Sequence, residues 1–255
     1  MSANATLAFS KLSDRSGTKT KVTMFNGKAW VQVKSIANHN DEFVLETPNA
    51  IMDVRGTHFY IDVDPVTGNS GWFVASGIVR GIVKGGAEII ILPGQEALVT
   101  RGNRGNEIYT GPVNLDALFQ LSTAEIIEAI LDAAAEIALE NNAKMDRYEN
   151  DAKRAGFISE ADIARFKNNV ESLVGAIVQS AIASGKISPE RIHEIVAEAQ
   201  ARSGITIDLN KKEMILSDEE KRQQLLLLQK LEESRKRAEQ RKQANQVDSV
   251  FYVNP

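Results

Sequence analysis

About the first 113 residues carry short segments in which hydrophobic and polar positions alternate. Each segment is rich in β-branched or aromatic residues and is bounded by Gly, Pro, Asn or Asp, a pattern typical of strands joined by turns. Asn26-Gly27 predicts a hairpin turn between two of them, because this dipeptide readily adopts the backbone of a two-residue turn. The predicted strands are Val22–Phe25, Ala29–Val33, Phe43–Thr47, His58–Val63, Gly71–Ala75, Ile78–Val83 and Glu88–Leu92.

From Leu115 onward the apolar residues recur at helical spacing. Ser122 to Glu125 has the sequence of a capping box, which predicts a helix that opens there and extends as far as Gly156, with polar stretches inside it that permit a break. Glycine ends and serine caps delimit the next helices, and a short strand and a last helix follow. The predicted boundaries are Ser159 to Gly185, Ser188-Pro189 to Gly204, a strand at Ile205–Leu209, and a helix that opens at Ser217.

The change from alternating to helical spacing of the apolar residues predicts an α+β protein with segregated halves. An all-β N-terminal part, a short β-solenoid or a sandwich-like domain, precedes a C-terminal α-helical region. We expect three units: a β domain over residues 1–113, a helical domain over 114–216, and a polar C-terminal helix with a strand-like tail over 217–255.

The last predicted helix carries a run of leucines and then loses its apolar stripe after Leu231. Nothing in that later part obliges it to pack, although its helix propensity is high. Ser249–Val253 is strand-like and is expected to pair with a free sheet edge. An exposed leucine run and an unpaired strand favour self-association, so the candidate oligomer contacts are Leu225, Leu226, Leu227, Leu228 and Leu231.

Composition narrows the classes of function. The formal net charge is -4, which gives no general attraction to nucleic acid or to an anionic membrane. The chain has no cysteine, which excludes disulfides, thiolate metal sites and cysteine nucleophiles. No stretch approaches the roughly 20 apolar residues that span a bilayer, and the N-terminus lacks the basic and apolar segments of a signal peptide.

The most informative segment runs from Thr47 to Phe59 and reads Thr-Pro-Asn-Ala-Ile-Met-Asp-Val-Arg-Gly-Thr-His-Phe. It resembles the signature of the FecR domain family, a T-P-x-A-x-x-x-V-R-G-T-x-F pattern. Three further segments agree with the family in order and spacing: Gly27–Val33 as the preceding strand, Val74–Val79 as a strand-glycine-strand element, and Leu92–Ala97 as a closing turn. The resemblance covers about residues 7–100 and none of the helical half.

The resemblance implies a β scaffold in which the motif residues hold a corner of the chain. Gly56 permits a bulge or a positive φ at this corner, and Pro48, which lacks an N–H, suits the start of a strand. Arg55 is expected to be held by a carboxylate such as Asp53 or Glu46, or by backbone carbonyls, with anion binding as the alternative. The motif residues are Thr47, Pro48, Ala50, Val54, Arg55, Gly56, Thr57, Phe59, Gly77, Val79 and Gly94.

The family's best-known members are periplasmic regulators that pass a signal from an outer-membrane receptor to a cytoplasmic sigma factor. They use an N-terminal cytoplasmic region and one membrane span, which have no counterpart in this chain. The first strands of the family pattern also lack a counterpart before Leu7, so we expect either an abbreviated domain or a trimmed chain. The chain is more similar to exported or surface family members in bacteria, so an extracytoplasmic location is expected.

Other candidate chemistry has a simpler interpretation. His39, His58 and His193 lie in different elements without metal-ligand spacing and are expected to be ordinary surface or turn residues. The segment Asp62–Ser70 could suggest calcium, but a polar turn is favoured because the spacing of a calcium loop is absent. Residues 101–106 are interpreted as a flexible linker, and the basic run Arg235–Lys242 as a solvated helix face rather than a nucleic-acid site. We therefore predict no enzyme, no metal and no cofactor.

Three hypotheses of function remain, in decreasing order of support. The first is a non-catalytic module for protein interaction or signal relay outside the cytoplasm, with a protein partner. The second is a structural or surface protein that assembles into homo-oligomers through the helical half and the terminal strand. The third is a small-ligand binder or enzyme with a site between the two halves, using groups such as Asp53, Arg55 or Arg101.

Overall fold

The computed structural model describes residues 1–2, 4–13, 17–34, 42–102, 104–157 and 159–251. In these residues a run of strands is followed by a run of helices. The strands are β1 Thr6–Ser13, β2 Thr18–Val33, β3 Glu42–Glu46, β4 Ala50–Val63, β5 Ser70–Val83, β6 Glu88–Ile91, β7 Gln95–Gly102 and β8 Gly105–Pro112. The helices are α1 Leu115–Leu121, α2 Ala124–Asp132, α3 Ala134–Arg154, α4 Glu160–Ser184, α5 Pro189–Ser203 and α6 Asp218–Phe251.

The strands form one bent sheet in the order β1-β2-β3-β4-β5-β7-β8, with β6 beside β5. The bend arises because two long strands change partners along their length. The first half of β2 pairs with β1 and β3, whereas its second half pairs with β4. The first half of β4 correspondingly pairs with β3 and its second half with β2.

The central strands β4 and β5 are buried on both faces. Alternate side chains such as Phe59 and Val74 fill a core enclosed by the bent sheet. The residues next to them, such as Tyr60 and Phe73, point the other way into a core shared with the helices. This double burial explains why the apolar residues of β4 and β5 run consecutively instead of alternating with polar ones. The prediction of an α+β chain with segregated halves is confirmed.

The hairpin predicted at Asn26-Gly27 is wrong. Both residues lie inside the single strand β2, and Gly27 has φ +99° without reversing the chain. A Cβ at this glycine would lie 2.5 Å from the Cα of Ala5. The glycine therefore permits the close approach of the segment before β1, and strand pairing on both sides overrides the local turn preference.

The linker predicted over residues 101–106 is also wrong. Strands β7 and β8 pair from Gln95↔Pro112 to Gly102↔Gly105, so this segment is the end of a hairpin within the sheet. The glycines serve the turn, and Asn103 lies outside the described residues. The predicted strands Gly71–Ala75 and Ile78–Val83 are likewise parts of one strand, β5.

Helix boundaries that depend on local caps agree with the sequence. Ser159 and Ser188 cap α4 and α5 with their side chains, and Gly185 and Gly204 end these helices with φ +65° and +68°. The capping box predicted at Ser122 is wrong, because its hydroxyl donates to the carbonyl of Leu118 at 2.8 Å and Thr123 takes the N-cap position of α2. A break at Ala133 then separates α2 from α3.

The strand predicted at Ile205–Leu209 is absent from the structure, where these residues belong to neither a strand nor a helix. Ile205, Ile207 and Leu209 instead pack on the helical core, so alternate residues are apolar because one side of the segment faces α helices. Asn169 of α4 holds the same segment further on, since its side chain bonds the backbone N–H and C=O of Ile215 at 2.6 and 2.8 Å.

Helix α6 packs beyond the point where its apolar stripe ends. Leu227, Ser234 and Ala238 are buried, so small side chains continue a contact that the leucine run begins. The described part of the predicted strand Ser249–Val253 belongs to this helix, which runs to Phe251. Helix propensity carried over from the preceding residues overrides the strand preference there. No helix among the described residues is long and apolar enough to cross a membrane.

Candidate interaction site

The start of the family motif forms a tight turn before β4. The backbone N–H of Thr47 donates to the carbonyl of Ala50 at 2.8 Å, and its hydroxyl accepts from the N–H of Ala50 at 3.0 Å. Pro48 lies exposed within this turn, where its missing N–H leaves no unpaired donor. The turn sets the direction in which β4 enters the sheet.

Asn49, a variable position of the motif pattern, is the centre of a buried polar network that the sequence analysis missed. Its side-chain amide donates to the carbonyl of Val99 in β7 at 2.8 Å, and its side-chain oxygen accepts from Ser70 at 2.6 Å. The indole N–H of Trp72 in turn donates to Ser70 at 3.1 Å. The network ties the turn to β5 and β7, so it fixes the motif against the sheet.

The middle of the motif forms a bulge between β4 and β5. The pairing of the two strands shifts between Arg55 and His58, where Gly56 has φ +54°, and Gly77 on the opposite strand has φ +77°. A Cβ on Gly77 would lie 2.2 Å from the side chain of Thr57, so the two strands touch with no room for a larger residue. Backbone groups at a bulge lose their ladder partners and need others.

Helix α3 supplies those partners. The hydroxyl of Tyr148 accepts from the N–H of Gly77 at 2.8 Å, and the ammonium of Lys144 donates to the carbonyl of Gly56 at 3.2 Å. The amide of Asn141 donates to the carbonyl of Ala75 at 3.0 Å. The three side chains recur at helical spacing and therefore share the face of α3 that covers the bulge. That spacing of polar residues within an apolar stripe is the sequence signal that could have revealed them.

His58 connects the bulge to the same helix, which corrects its interpretation as a surface residue. It is 7% exposed, and its Nδ1 lies 2.7 Å from Ser76 Oγ and 3.2 Å from Glu140 Oε2. Burial pushes the pKa of the Glu140 carboxyl up, but hydrogen bonds from His58, Lys144 and Ser76 outweigh it and hold the pKa below its usual range. Of the other histidines, His193 is exposed and His39 lies outside the described residues.

A groove opens beside the bulge on the outer surface. It has a volume of about 580 Å³, and we call it the arginine groove. Arg55 contacts Asp53 at 3.6 Å, and Arg80 forms an ion pair with the buried carboxylate of Asp151. The residues that line it are Asp53, Arg55, Arg80, Arg147, Asn150, Asp151 and Arg154. The expected carboxylate partner of Arg55 is thus Asp53, whereas Glu46 pairs with Lys21 and Lys84.

A second, smaller cavity of about 60 Å³ lies between the sheet, α1 and α6. Its lining is mostly apolar, with contributions from Trp72, Leu118 and Leu228. Glu96 lines it as well, and burial in these surroundings raises the pKa of its carboxyl to about 8, opposed only by a hydrogen bond from the backbone of Asn114. None of the residues that line this space belongs to the motif bulge.

The other residues singled out in the sequence lie apart from the groove. Val54, Phe59 and Val79 fill the sheet core together with Ala50. Gly94, with φ +80°, donates its N–H to Val74 and accepts from Val113. In the leucine run, Leu225 and Leu226 are exposed, Leu227 is buried, and Leu228 and Leu231 line the small cavity.

Two further predictions concern polar loops. The carboxylate of Asp64 accepts from the N–H groups of Val66 and Thr67, so it organises the turn between β4 and β5. Among the described residues, no group of three or more acidic or histidine side chains is placed to hold a metal ion. Arg101 lies exposed at the end of β7 and does not join Asp53 and Arg55 in the arginine groove.

The structure is a β scaffold in which hydrogen bonds join the bulge of the family motif to helix α3 of the helical half. The family model described as FecR protein matches residues 1–80, so the resemblance seen in the sequence is confirmed for that part of the chain. Two crystal structures of a candidate anti-sigma factor from Parabacteroides distasonis ATCC 8503 share 17% and 20% sequence identity with the chain, with TM-scores of 0.36 and 0.37. They align with 45% and 46% of this chain and with 51% and 53% of their own. The chain therefore spans about half of the solved structures that it matches, and no curated protein matches it.

Proposed function

We propose that this chain is a non-catalytic interaction module that binds a protein partner through its β domain and relays the binding to its helical half, outside the cytoplasm of a bacterium. The match of residues 1–80 to the FecR family supports a regulatory role of this kind. The observation that carries the proposal is the attachment of the motif bulge to α3 through Asn141, Lys144 and Tyr148.

This attachment gives the relay a physical route. A partner that contacts the corner shifts the backbone around Gly56 and Gly77, whose polar groups are bonded to α3. The shift changes the packing of α3, because Tyr148 also belongs to an apolar cluster with Phe166 and Val170 of α4. Close-packed interiors pass such displacements on with little loss.

Photo-crosslinking in the native host tests whether the β domain binds a partner. A photoreactive amino acid replaces Ile51, which is 44% exposed on the motif strand β4, or Phe9, which is 67% exposed on the edge strand β1. The matched control position is His193, an exposed residue of α5. We expect a discrete heavier adduct from at least one position of the β domain and none from His193. Adducts of equal yield from all positions, or no adduct from any, would contradict the proposal.

Relay and location need separate measurements. Once the adduct is isolated, hydrogen exchange of the amides of α3 and α4 should change in the complex, and the Lys144→Met/Tyr148→Phe variant should reduce that change while it keeps the adduct. An unchanged exchange pattern would contradict the relay but not the binding of a partner.

Protease added to spheroplasts should digest the chain, and full protection would contradict an extracytoplasmic location.

Self-assembly is the second candidate function, favoured by the outward side of the leucine run. Leu225 is 69% exposed and Leu226 is 43% exposed, so the two form a small apolar surface on α6. Light scattering on the wild type should then show an oligomer that the Leu225→Gln/Leu226→Gln variant dissociates. Leu139→Gln is the control, because Leu139 is 51% exposed on another helix. A monomeric wild type at all concentrations tested removes this candidate.

A further inference from the structure

The arginine groove brings together cations from both halves of the chain, Arg55 and Arg80 from the sheet and Arg147 and Arg154 from α3. We infer that this groove binds an acidic, extended segment of the partner protein. The inference rests on the proposed function, since it names the surface and the kind of partner that the interaction module uses.

The charge of the groove is opposite to that of the chain. Four guanidinium groups and two carboxylates line it, whereas the chain as a whole has a formal net charge of -4. A concave surface with a local excess of one sign concentrates the field and attracts a ligand of the other sign. The groove is therefore suited to an anionic ligand.

Two of the four arginines, Arg80 and Arg154, are held in place by a buried carboxylate. Asp151 is 4% exposed, and one of its oxygens contacts both Arg80 and Arg154, the latter at 3.6 Å. Each guanidinium has five N–H donors, so a single shared carboxylate oxygen leaves most of them available. Side chains that are already ordered lose less conformational entropy when they bind a second anion.

Arg147 is the member of the groove whose charge is not compensated. It is exposed on α3, and no carboxylate of the described residues lies within ion-pair distance of its guanidinium. The neighbouring Arg55 has only a long contact of 3.6 Å with Asp53, and both of those side chains are about half exposed. We therefore expect these two arginines to contribute most to binding of the ligand.

The dimensions favour a peptide. Arg147 and Arg154 lie about 10 Å apart along the axis of α3, at 1.5 Å per residue. An extended peptide advances about 3.3 Å per residue, so acidic residues about three positions apart span the same distance. Arginine binds a carboxylate through two parallel hydrogen bonds. The carboxylates of Asp53 and Asp151 in the groove and the negative net charge of the chain repel a long polyanion such as nucleic acid.

Fluorescence anisotropy with the full-length protein tests the groove directly. The probe is a fluorescein-labelled peptide of repeated Glu-Glu-Ser, which places carboxylates three positions apart, and the control probe is the same peptide with Gln in place of Glu. We expect saturable binding of the acidic probe at low salt and loss of binding as salt rises. The Arg55→Glu/Arg147→Glu variant should bind at least about tenfold more weakly, the change expected from losing one close charge contact.

Arg191→Glu is the matched control variant, because Arg191 is also an exposed helical arginine but lies on α5. It should change the affinity less than about twofold. Each of three results would overturn the inference. The first is equal weakening of binding by both variants, and the second is no saturable binding up to about 1 mM probe. The third is tighter binding of a single-stranded oligonucleotide than of the acidic probe at the same salt. Circular dichroism of the variants verifies that they fold.

The same double variant separates this inference from the proposed function. If the adduct formed through the β domain keeps its full yield in the Arg55→Glu/Arg147→Glu chain, the partner binds elsewhere and the groove inference is wrong. If no adduct forms in cells while the acidic probe binds the groove in solution, the proposed function is wrong, but the arginine groove is still a binding surface for acidic peptides.

Discussion

The hydroxyl of Tyr148 accepts a hydrogen bond of 2.8 Å from the backbone N–H of Gly77, and this contact joins the helical half to the bulge of the family motif. The tyrosine is fully buried, and this burial raises the pKa of its hydroxyl. The N–H of Gly77 has no strand partner at the bulge, so without Tyr148 it would be buried and unpaired.

Tyr148→Phe should therefore lower the free energy of unfolding by about 1–3 kcal/mol, the cost of an unsatisfied buried donor. A urea titration followed by circular dichroism measures this value. Tyr109→Phe is the control, because its hydroxyl donates to Glu107 in an exposed pair and its loss should change stability by less than about 0.5 kcal/mol. Equal effects of the two substitutions would show that the bond to Gly77 contributes nothing specific.

Gly77→Ala should be more damaging than loss of its hydrogen bond. The alanine Cβ would lie 2.2 Å from Thr57 Cγ2 and 2.4 Å from the carbonyl oxygen of Gly56, at a residue with φ +77°. We expect a loss of more than about 3 kcal/mol, or a chain that does not fold, measured by urea titration and by soluble yield. Gly71→Ala in the same strand is the control, since a Cβ there meets no atom within 4 Å. A Gly77→Ala protein as stable as this control would refute the close strand contact at the bulge.

The sequence predicts those parts of the fold that local chemistry determines. The boundaries of α4 and α5 follow from Ser159, Gly185, Ser188 and Gly204, because a cap acts within a few residues of itself. Strand β2 could not be predicted in the same way. Its course through Asn26-Gly27 depends on pairing with β1, β3 and β4, and pairing between distant segments overrides a local turn preference.

The site follows the same division. The motif marks the bulge, since Gly56 and Arg55 belong to a recognisable pattern. Its partners on α3 could not be predicted, because nothing in the sequence states which helix covers the bulge. The same holds for His58, because its contacts with Ser76 and Glu140 arise only in the folded chain and no local pattern indicates them.

Glu96 should make the protein less stable as the pH rises from about 5 to 8. Its pKa is raised to about 8 in the folded chain, because burial disfavours its charged form, against an ordinary value of 4.5. Between these values the folded state keeps a proton that the unfolded state has released, so the free energy of unfolding falls with rising pH, by at most about 1.4 kcal/mol per pH unit. Asp62, whose pKa is also raised by burial, contributes a change of the same sign above its ordinary value of 3.8.

Glu96→Gln isolates this contribution, since the amide keeps the shape of the protonated acid and has no proton to lose. We expect the variant to match the wild type near pH 5 and to exceed its melting temperature near pH 8 by several degrees. Glu149→Gln is the control, because hydrogen bonds from Lys153 and Lys167 lower the pKa of Glu149, and that group contributes nothing to the trend between pH 5 and 8. A Glu96→Gln variant with the wild-type pH profile would show that Glu96 is charged in the folded chain.

Glu140 should have the opposite effect at acid pH. Burial raises its pKa, but the hydrogen bonds from His58, Lys144 and Ser76 more than compensate, so the folded pKa lies below the ordinary value of 4.5. The stability that Glu140 contributes is therefore present above about pH 4.5 and is lost as the pH falls through the folded pKa. Glu140→Gln removes that contribution, so we expect a variant less stable at pH 7 by about 1–3 kcal/mol and with a shallower loss of stability in acid.

Glu136→Gln is the matched control for this prediction, because Glu136 lies on the same helix and contacts the other nitrogen of His58 at 3.4 Å but is 65% exposed. Its substitution should change the free energy of unfolding by less than about 0.5 kcal/mol at pH 7. Urea titrations at several pH values between neutral and acid compare the two variants with the wild type. If Glu136→Gln destabilises the protein as much as Glu140→Gln, the buried carboxylate of Glu140 holds the His58 imidazole no more strongly than the exposed Glu136 does. The link between the motif bulge and α3 would then rest on Lys144, Tyr148 and Asn141 alone.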